Sequence, residues 1–176
     1  VLGAGVMGGG IAHLVADRAG LPVRVKDVRP EALATALGHA AARFGRQVHR
    51  RRLEPAEMRR RMALLQPTLE DAGLAGCDFV IEAVVESLEV KQRLFADLDR
   101  RLRPDAVLAS NTSSLSIDAI GAHAAHRGRV VGMHFFNPVD RMPLVEVVAG
   151  TWTRAETVRA VAAFARRLGK TPVVVR

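Results

Sequence analysis

The sequence has 176 residues, 49% of them hydrophobic and 25% charged, which predicts one globular domain and excludes a disordered chain. No apolar run reaches the roughly 20 residues that span a bilayer. The net charge is +8, but the sequence has neither a recognition helix nor a basic strand interleaved with aromatic residues, so we expect no nucleic-acid partner. Two explanations stay open for this charge. The basic residues lie on solvated helix faces, or their electrostatic field attracts an anionic substrate.

Short strand patterns alternate with helical patterns along the whole chain. The predicted strands are the segment that ends at residue 2, then 22–27, 79–85, 106–109, 130–135, 144–148 and the run from residue 173. Helices are predicted between them, including one over 33–48 and one that begins at Pro55. Thr153 and Glu156 predict a capping box for the last helix. This alternation predicts an α/β fold of Rossmann type, a mostly parallel sheet with helices on both faces.

Both ends of the chain fall within predicted strands. The sequence opens with Val1 and Leu2 directly before a glycine motif, and it ends inside the apolar run that begins at Val173. We therefore expect residues 1–176 to be one domain that is truncated at both ends. The single cysteine, Cys77, has no internal disulfide partner, which agrees with a reducing, cytoplasmic location, and its apolar neighbours predict a small buried side chain.

A glycine-rich loop follows the first strand. Gly3, Gly5 and Gly8 form the pattern G-x-G-x-x-G between a strand and a helix. The first glycine permits a tight turn, the second lets a pyrophosphate approach the backbone, and the third lets the helix pack closely. Asp27 lies nineteen positions after Gly8, where a carboxylate binds ribose hydroxyls and repels a 2′-phosphate. The motif predicts NAD rather than NADP, although Arg29 is a residue type that binds such a phosphate.

Two polar segments follow predicted buried strands. They are residues 82–86 (Glu-Ala-Val-Val-Glu) and 110–114 (Ser-Asn-Thr-Ser-Ser). Because ligands of parallel sheets bind beyond the carboxyl ends of the strands, both segments are candidate site loops. Ordinary helix capping, by Ser87 and Ser116, is the alternative explanation.

His134 and Glu146 are the candidate catalytic pair. His134 ends the strand 130–135, and Glu146 lies in an otherwise apolar strand, where a buried carboxylate needs a partner such as an imidazole. The carboxylate would fix the tautomer and stabilise the imidazolium that forms when the histidine accepts a proton. Removal of a hydroxyl proton before hydride transfer needs such a base. Purely structural roles for both residues stay open, and no residue cluster has the spacing of a metal site.

Five stretches, in order, resemble the L-3-hydroxyacyl-CoA dehydrogenase family over nearly the whole chain. They are residues 3–12 (Gly-Ala-Gly-Val-Met-Gly-Gly-Gly-Ile-Ala), 82–86, 110–114, 132–138 (Gly-Met-His-Phe-Phe-Asn-Pro) and 142–146 (Met-Pro-Leu-Val-Glu). The resemblance implies NAD-dependent oxidation of (S)-3-hydroxyacyl-CoA to 3-oxoacyl-CoA in fatty-acid β-oxidation.

The resemblance also implies roles for individual residues. His134 would be the catalytic base and Glu146 the residue that orients it. Ser113 would contact both the substrate hydroxyl and the cofactor, and Asn137 would help to order this site. The remaining residues that the resemblance places at the NAD site are Gly3, Gly5, Met7, Gly8, Asp27, Val84, Val85, Glu86 and Lys91.

Within the family, the sequence looks closest to the dehydrogenase segment of multifunctional fatty-acid oxidation α subunits. The resemblance implies a further helical domain that completes the acyl-CoA site and supplies dimer contacts, and we expect residues 1–176 to lack it. We therefore expect a homodimer or a thiolase-containing complex for the full-length protein. Because substrate must be placed against both base and cofactor, we expect residues 1–176 alone to bind NAD with little or no turnover.

Three other functions stay open from the sequence. One is a related NAD-linked hydroxyacid dehydrogenase with a different substrate. Another is a non-catalytic NAD-binding module, whose cofactor binding would survive the loss of His134. The last is an interaction domain that docks through its arginine-rich helices, which predicts salt-sensitive association in the absence of NAD.

Overall fold

A computed structural model describes all of residues 1–176. The helices are α1 (Val6–Leu14), α2 (Pro30–His49), α3 (Pro55–Ala63), α4 (Leu88–Arg101), α5 (Ile117–Ile120) and α6 (Ala155–Arg167). The strands are β1 (Val23–Lys26), β2 (Leu65–Thr68), β3 (Phe79–Glu82), β4 (Val107–Ser110), β5 (Val130–Phe135), β6 (Leu144–Val148) and β7 (Thr171–Val175). No helix combines the length and the apolar character that crossing a membrane requires.

The strands form one sheet that is joined at its centre by a single residue. Leu2 bridges Lys26 on one side and Glu82 on the other, so the order is β2-β1-Leu2-β3-β4-β5-β6-β7. All neighbouring strands are parallel except β5 and β6, which are antiparallel. The prediction of a mostly parallel sheet is confirmed.

Two apolar cores, one on each face of the sheet, hold the helices in place. Alternate residues of a strand point to opposite faces. Val80 therefore joins the core that contains Phe95 of α4, whereas Ile81 joins the core that contains Ile11 of α1 and Val161 of α6. Burial of these side chains is the main force that fixes the helices on both faces, as the fold class requires.

One strand is absent from the predicted elements, and another is shorter than predicted. The pattern around Leu65 predicts the end of a helix, whereas residues 65–68 form β2, which pairs in parallel with β1. Only Leu65 of this strand is buried, and Pro67 has no backbone N–H to donate. An edge strand tolerates a proline, but the strand then lacks the alternating apolar pattern from which a strand is predicted. The strand predicted over 79–85 ends at Glu82. Cys77 is a free cysteine but half-buried rather than buried.

The capping box predicted at Thr153 is wrong. Helix α6 begins at Ala155 and its N-cap residue is Arg154, without a side-chain cap. Thr153 lies one residue too early and instead donates its hydroxyl to the carbonyl of Val130 at 2.7 Å. Ser116, by contrast, caps α5 by accepting from the amide of Ala119 at 3.3 Å.

Candidate functional site

Two adjoining cavities lie beyond the carboxyl ends of the parallel strands. The first, here called the cradle, has a volume of about 520 Å³, and its predicted residues are Gly3, Gly5, Asp27, Val84 and Val85. The second, here called the cleft, has a volume of about 340 Å³, and its predicted residues are Met7, Val84, Glu86, Lys91, Ser113, His134 and Asn137. Ala83 and Val84 line both cavities, so the cradle and the cleft share a wall. Gly8 and Glu146 line neither cavity.

The glycine loop is shaped by two close approaches of backbone to backbone. A Cβ atom on Gly3, whose φ is +90°, would lie 2.5 Å from the carbonyl oxygen of Ala83. A Cβ atom on Gly8 would lie 1.8 Å from the carbonyl oxygen of Gly3. These glycines therefore allow the turn to close, and the role of Gly8 is packing of α1 against the loop rather than lining of a cavity.

The space above Gly5 fits a dinucleotide. No atom lies within 4 Å of the position that a Cβ atom on Gly5 would occupy, and Gly5 lines the cradle. Helix α1 begins at the next residue, so its unpaired amides and the positive end of its dipole lie at this point. An open approach to a helix N-terminus suits the pyrophosphate of a dinucleotide. The residues present thus fit the cofactor that the motif predicts.

Asp27 is held at the rim of the cradle by backbone donors. Its Oδ2 accepts from the amide of Ala4 at 2.7 Å and its Oδ1 from the amide of Arg29 at 2.9 Å. Partial burial works to raise the pKa of Asp27, but these amides outweigh burial and hold the pKa below its usual range. The Arg29 guanidinium is 72% exposed and lies 3.9 Å from the carboxylate. The fixed charge at this position is therefore negative, which favours a ribose hydroxyl over a 2′-phosphate.

The register of β5 and β6 brings His134 and Glu146 together. The two residues are direct partners across this antiparallel pair, so their side chains lie on the same face of the sheet. His134 Nδ1 lies 2.8 Å from Glu146 Oε2. With Glu146 as acceptor, Nδ1 carries the proton and Nε2 is the free base. The Glu146 side chain is 35% exposed, so the sequence prediction of a buried carboxylate is only partly right.

Neighbouring residues fix the end of β5 beside the cleft. Asn111 lines the cleft, and its side-chain Oδ1 accepts from the backbone amide of Phe135 at 2.9 Å. The backbone amide of Asn111 donates to the backbone carbonyl of Glu82 at 2.8 Å. The ring of Phe136 lies 4.5 Å from the His134 ring. Asn111 thus ties β3, β4 and β5 together where they end. The sequence placed Asn111 in a candidate loop without a role, because its partners are 24 and 29 positions away.

A charged network closes the other side of the cleft. Lys91 Nζ lies 2.7 Å from Glu82 and 3.1 Å from Glu86. Glu86 also accepts from the hydroxyl of Thr112 and from the amide of Ser113 at 3.3 Å. Partial burial works to raise the pKa of Glu86, but the hydroxyl of Thr112 and the ammonium of Lys91 outweigh it and lower the pKa. The two candidate loops, 82–86 and 110–114, are therefore joined by side chains.

A family model described as "3-hydroxyacyl-CoA dehydrogenase, NAD binding domain" matches residues 1–176. Among solved structures, the chain is similar to 3-hydroxybutyryl-CoA dehydrogenase from Escherichia coli (42% identity, TM-score 0.95, 99% of this chain and 37% of that chain covered). It is also similar to FadB2 of M. tuberculosis (40% identity, TM-score 0.92, 99% of this chain and 61% of that chain covered). A further similar structure is (S)-3-hydroxybutyryl-CoA dehydrogenase from Ralstonia eutropha (35%, 0.93, 99% and 61%). The chain thus spans between 37% and 61% of the lengths of these proteins.

Proposed function

The chain belongs to the 3-hydroxyacyl-CoA dehydrogenase family as its NAD-binding domain, and from this premise we propose that the protein oxidises (S)-3-hydroxyacyl-CoA to 3-oxoacyl-CoA. The cofactor is NAD. The observation that carries the proposal is the 2.8 Å contact between His134 Nδ1 and Glu146 Oε2 beside a cleft that adjoins the cradle. A base that borders a dinucleotide site is what alcohol oxidation requires.

In this proposal His134 removes the hydroxyl proton through Nε2. Glu146 keeps the proton of the neutral imidazole on Nδ1 and stabilises the imidazolium that forms in the reaction. When bound, NAD supplies the acceptor for the hydride that leaves the carbinol carbon. In the reverse direction the imidazolium of His134 returns the proton to the carbonyl oxygen, so one residue acts as base and acid.

Ser113 and Asn137 are proposed to position the substrate oxygen. Both line the cleft with His134, and both are exposed, so their polar groups are available to a ligand. The Ser113 amide is held by Glu86, which fixes the loop while the hydroxyl stays free to donate or accept. Lys91, Met7 and the backbone of residues 83–84 would form the cofactor side of the same cleft.

A separate cationic cavity supports a substrate with several phosphates. It has a volume of about 230 Å³, and six arginines line it: Arg18, Arg43, Arg46, Arg50, Arg52 and Arg141. Asp17 and Asp140 offset only part of this charge. The loop that carries Arg141 also carries Asn137 of the cleft. Anion attraction by this cavity would account for part of the net charge of +8 and suits the phosphates of coenzyme A.

We further propose that the reaction serves fatty-acid β-oxidation, in the cytoplasm, within a multifunctional α subunit that forms a homodimer or a thiolase-containing complex. These parts rest on the family resemblance of the sequence, and the free cysteine agrees with a reducing compartment. Light scattering of the full-length protein, alone and with a thiolase subunit, measures the assembly.

The test is turnover by the full-length protein. NADH formation is followed with (S)-3-hydroxyacyl-CoA substrates of several chain lengths, with NADP in place of NAD as a cofactor control, for the wild type and His134→Ala. We expect NAD-specific turnover and a loss of about 10³-fold in kcat for the variant, within the range of general-base catalysis.

Binding of NAD without turnover of any 3-hydroxyacyl-CoA would contradict the proposal and favour a non-catalytic NAD-binding module. Turnover of a free hydroxyacid, but of no acyl-CoA, would instead favour a related dehydrogenase.

A further inference from the structure

Glu82 is a fully buried carboxylate at the end of β3, and it lines neither the cradle nor the cleft. Its Oε1 accepts from Lys91 Nζ at 2.7 Å and from the amide of Val84 at 2.7 Å. Its Oε2 accepts from the hydroxyl of Ser110 at 2.6 Å. A buried charge is retained at a cost, which is offset here by one opposite charge and two neutral donors.

Lys91 connects this buried carboxylate to the cleft. Its side chain is only 1% exposed, yet it lines the cleft, and its Nζ lies between Glu82 and Glu86. An ammonium has three N–H donors; one is donated to Glu82, and Glu86 attracts the group from the cleft side. Because Lys91 lines the cleft, its remaining donor would be available to a ligand oxygen there.

Glu86 connects Lys91 to the neighbouring loop, residues 110–114. It accepts from the hydroxyl of Thr112 and from the amide of Ser113, the residue whose side chain lines the cleft. The chain of contacts therefore runs from Glu82 through Lys91 and Glu86 to Ser113. Only its inner member, Glu82, is held on both carboxylate oxygens by buried groups.

We infer that Glu82 is a positioning residue that fixes the ammonium of Lys91, and through it Glu86 and Ser113, in the geometry that binds NAD for the reaction. The inference rests on the proposed function in so far as it concerns turnover. Loss of the Glu82 charge would leave Glu86 as the one carboxylate beside Lys91 and would draw the ammonium toward the cleft opening. Glu86 would then exchange its contacts with Thr112 and Ser113 for a closer contact with Lys91.

The experiment compares Glu82→Gln with the wild type in the full-length protein, by steady-state kinetics and by NADH binding followed through its fluorescence. The glutamine has the same shape but no charge, so it weakens one charge-assisted hydrogen bond. We expect the KM for NAD and the Kd for NADH to rise about tenfold, with a smaller change in kcat. Glu82→Asp, which keeps the charge but shortens the side chain, should recover part of this loss.

Asp99→Asn is the matched control. Asp99 is a buried carboxylate in α4 that pairs with Arg129 at 2.7 Å and lines neither the cradle nor the cleft. This variant should lower the melting temperature but leave the Kd for NADH within about twofold. If Glu82→Gln also lowers only the melting temperature and leaves NADH binding unchanged, Glu82 is merely structural and the inference is wrong.

If Glu82→Gln alone fails to fold, Lys91→Met is compared with the double variant Lys91→Met/Glu82→Gln. The double variant removes both buried charges, so no unpaired charge is left in the core. If Glu82 acts through Lys91, adding Glu82→Gln to Lys91→Met should change the Kd for NADH by less than about twofold. A further tenfold loss in that background would overturn the inference. Because NADH binding needs no substrate, these outcomes hold even if turnover of 3-hydroxyacyl-CoA is not found.

Discussion

The cradle and the cleft differ in how much backbone and how much side chain shape them. One side of the cradle is backbone: Gly3, Gly5 and Gly8 shape the loop, and Asp27 is fixed by two amides. The cleft is mostly side chain, with His134 from the end of β5, Lys91 from α4 and Glu86 from the loop after β3. The glycine loop of the cradle therefore depends on the absence of side chains, whereas the cleft depends on pairs of side chains that are distant in sequence.

This difference separates binding of the pyrophosphate from transfer of the hydroxyl proton. The glycine loop of the cradle suits the pyrophosphate that is common to every dinucleotide, and this loop carries no side chain that can transfer a proton. The His134–Glu146 pair can transfer a proton but touches no part of the cradle. Variants of the glycine loop and variants of the His134–Glu146 pair should consequently affect different measurements.

The largest effect is expected for Gly8→Ala. Alanine usually favours a helix, but here its Cβ atom would lie 1.8 Å from the Gly3 carbonyl oxygen, and backbone on both sides has to move. We expect a destabilisation of about 3 kcal/mol or more, measured by urea unfolding.

Gly5→Ala is the control, because its Cβ atom meets no protein atom within 4 Å. It should leave stability within about 1 kcal/mol and weaken NAD binding. Equal destabilisation by both variants would contradict the separate roles of the two glycines.

Glu146→Gln should produce the next largest effect, and on catalysis alone. The amide cannot stabilise the imidazolium of His134, so we expect kcat to fall about a hundredfold. The Glu146 side chain is 35% exposed, so stability should change by less than about 1 kcal/mol. Glu156→Gln, an exposed carboxylate on α6, is the control and should leave kcat unchanged.

His13, on α1, makes the stability of the fold depend on pH. It is buried on α1 beside Phe44, with no hydrogen-bond partner for either ring nitrogen, and burial lowers its pKa to about 4. The unfolded chain, with an ordinary pKa of about 6.5, therefore binds more protons between these values, and stability is lost as pH falls through this window. Between pH 7 and pH 5 we expect the free energy of unfolding, measured by urea denaturation, to fall by about 2 kcal/mol. This fall should be absent in His13→Leu. His39→Gln, an exposed histidine of α2, should keep the loss.

The smallest effect is expected for Arg29→Ala. Its guanidinium is 72% exposed and lies 3.9 Å from Asp27, so the Kd for NAD should stay within about twofold. Asp27→Ala, by contrast, removes the partner of the Ala4 amide and should weaken NAD binding about tenfold. A stronger effect of Arg29→Ala on NADP than on NAD would show that this arginine contributes to cofactor choice.

The same difference explains what could be predicted from the sequence. The glycine loop and Asp27 are local in sequence, and their spacing predicted both the cradle and its cofactor. The pairing of His134 with Glu146 was also within reach, because the two strands are adjacent along the chain. The strand β2 was missed because only one of its four residues is buried and one is proline.

The inner contacts of the cleft could not be predicted in the same way. Glu82 and Asn111 fell within candidate loops, but their partners lie across the sheet and depend on how β3, β4 and β5 end together. Thr153 was misread for the reverse reason: a local pattern suggested a cap, while a tertiary contact with Val130 decided its role. Local patterns predicted the backbone features, and tertiary packing decided the side-chain ones.

The most direct test of the division between the cradle and the His134–Glu146 pair is a calorimetric titration of NAD into the full-length protein carrying His134→Ala. The account predicts a Kd for NAD within about twofold of the wild type, because His134 touches no part of the cradle. A loss of NAD binding of tenfold or more in a folded variant would contradict the account, since the histidine would then belong to the cofactor site rather than to the chemistry alone.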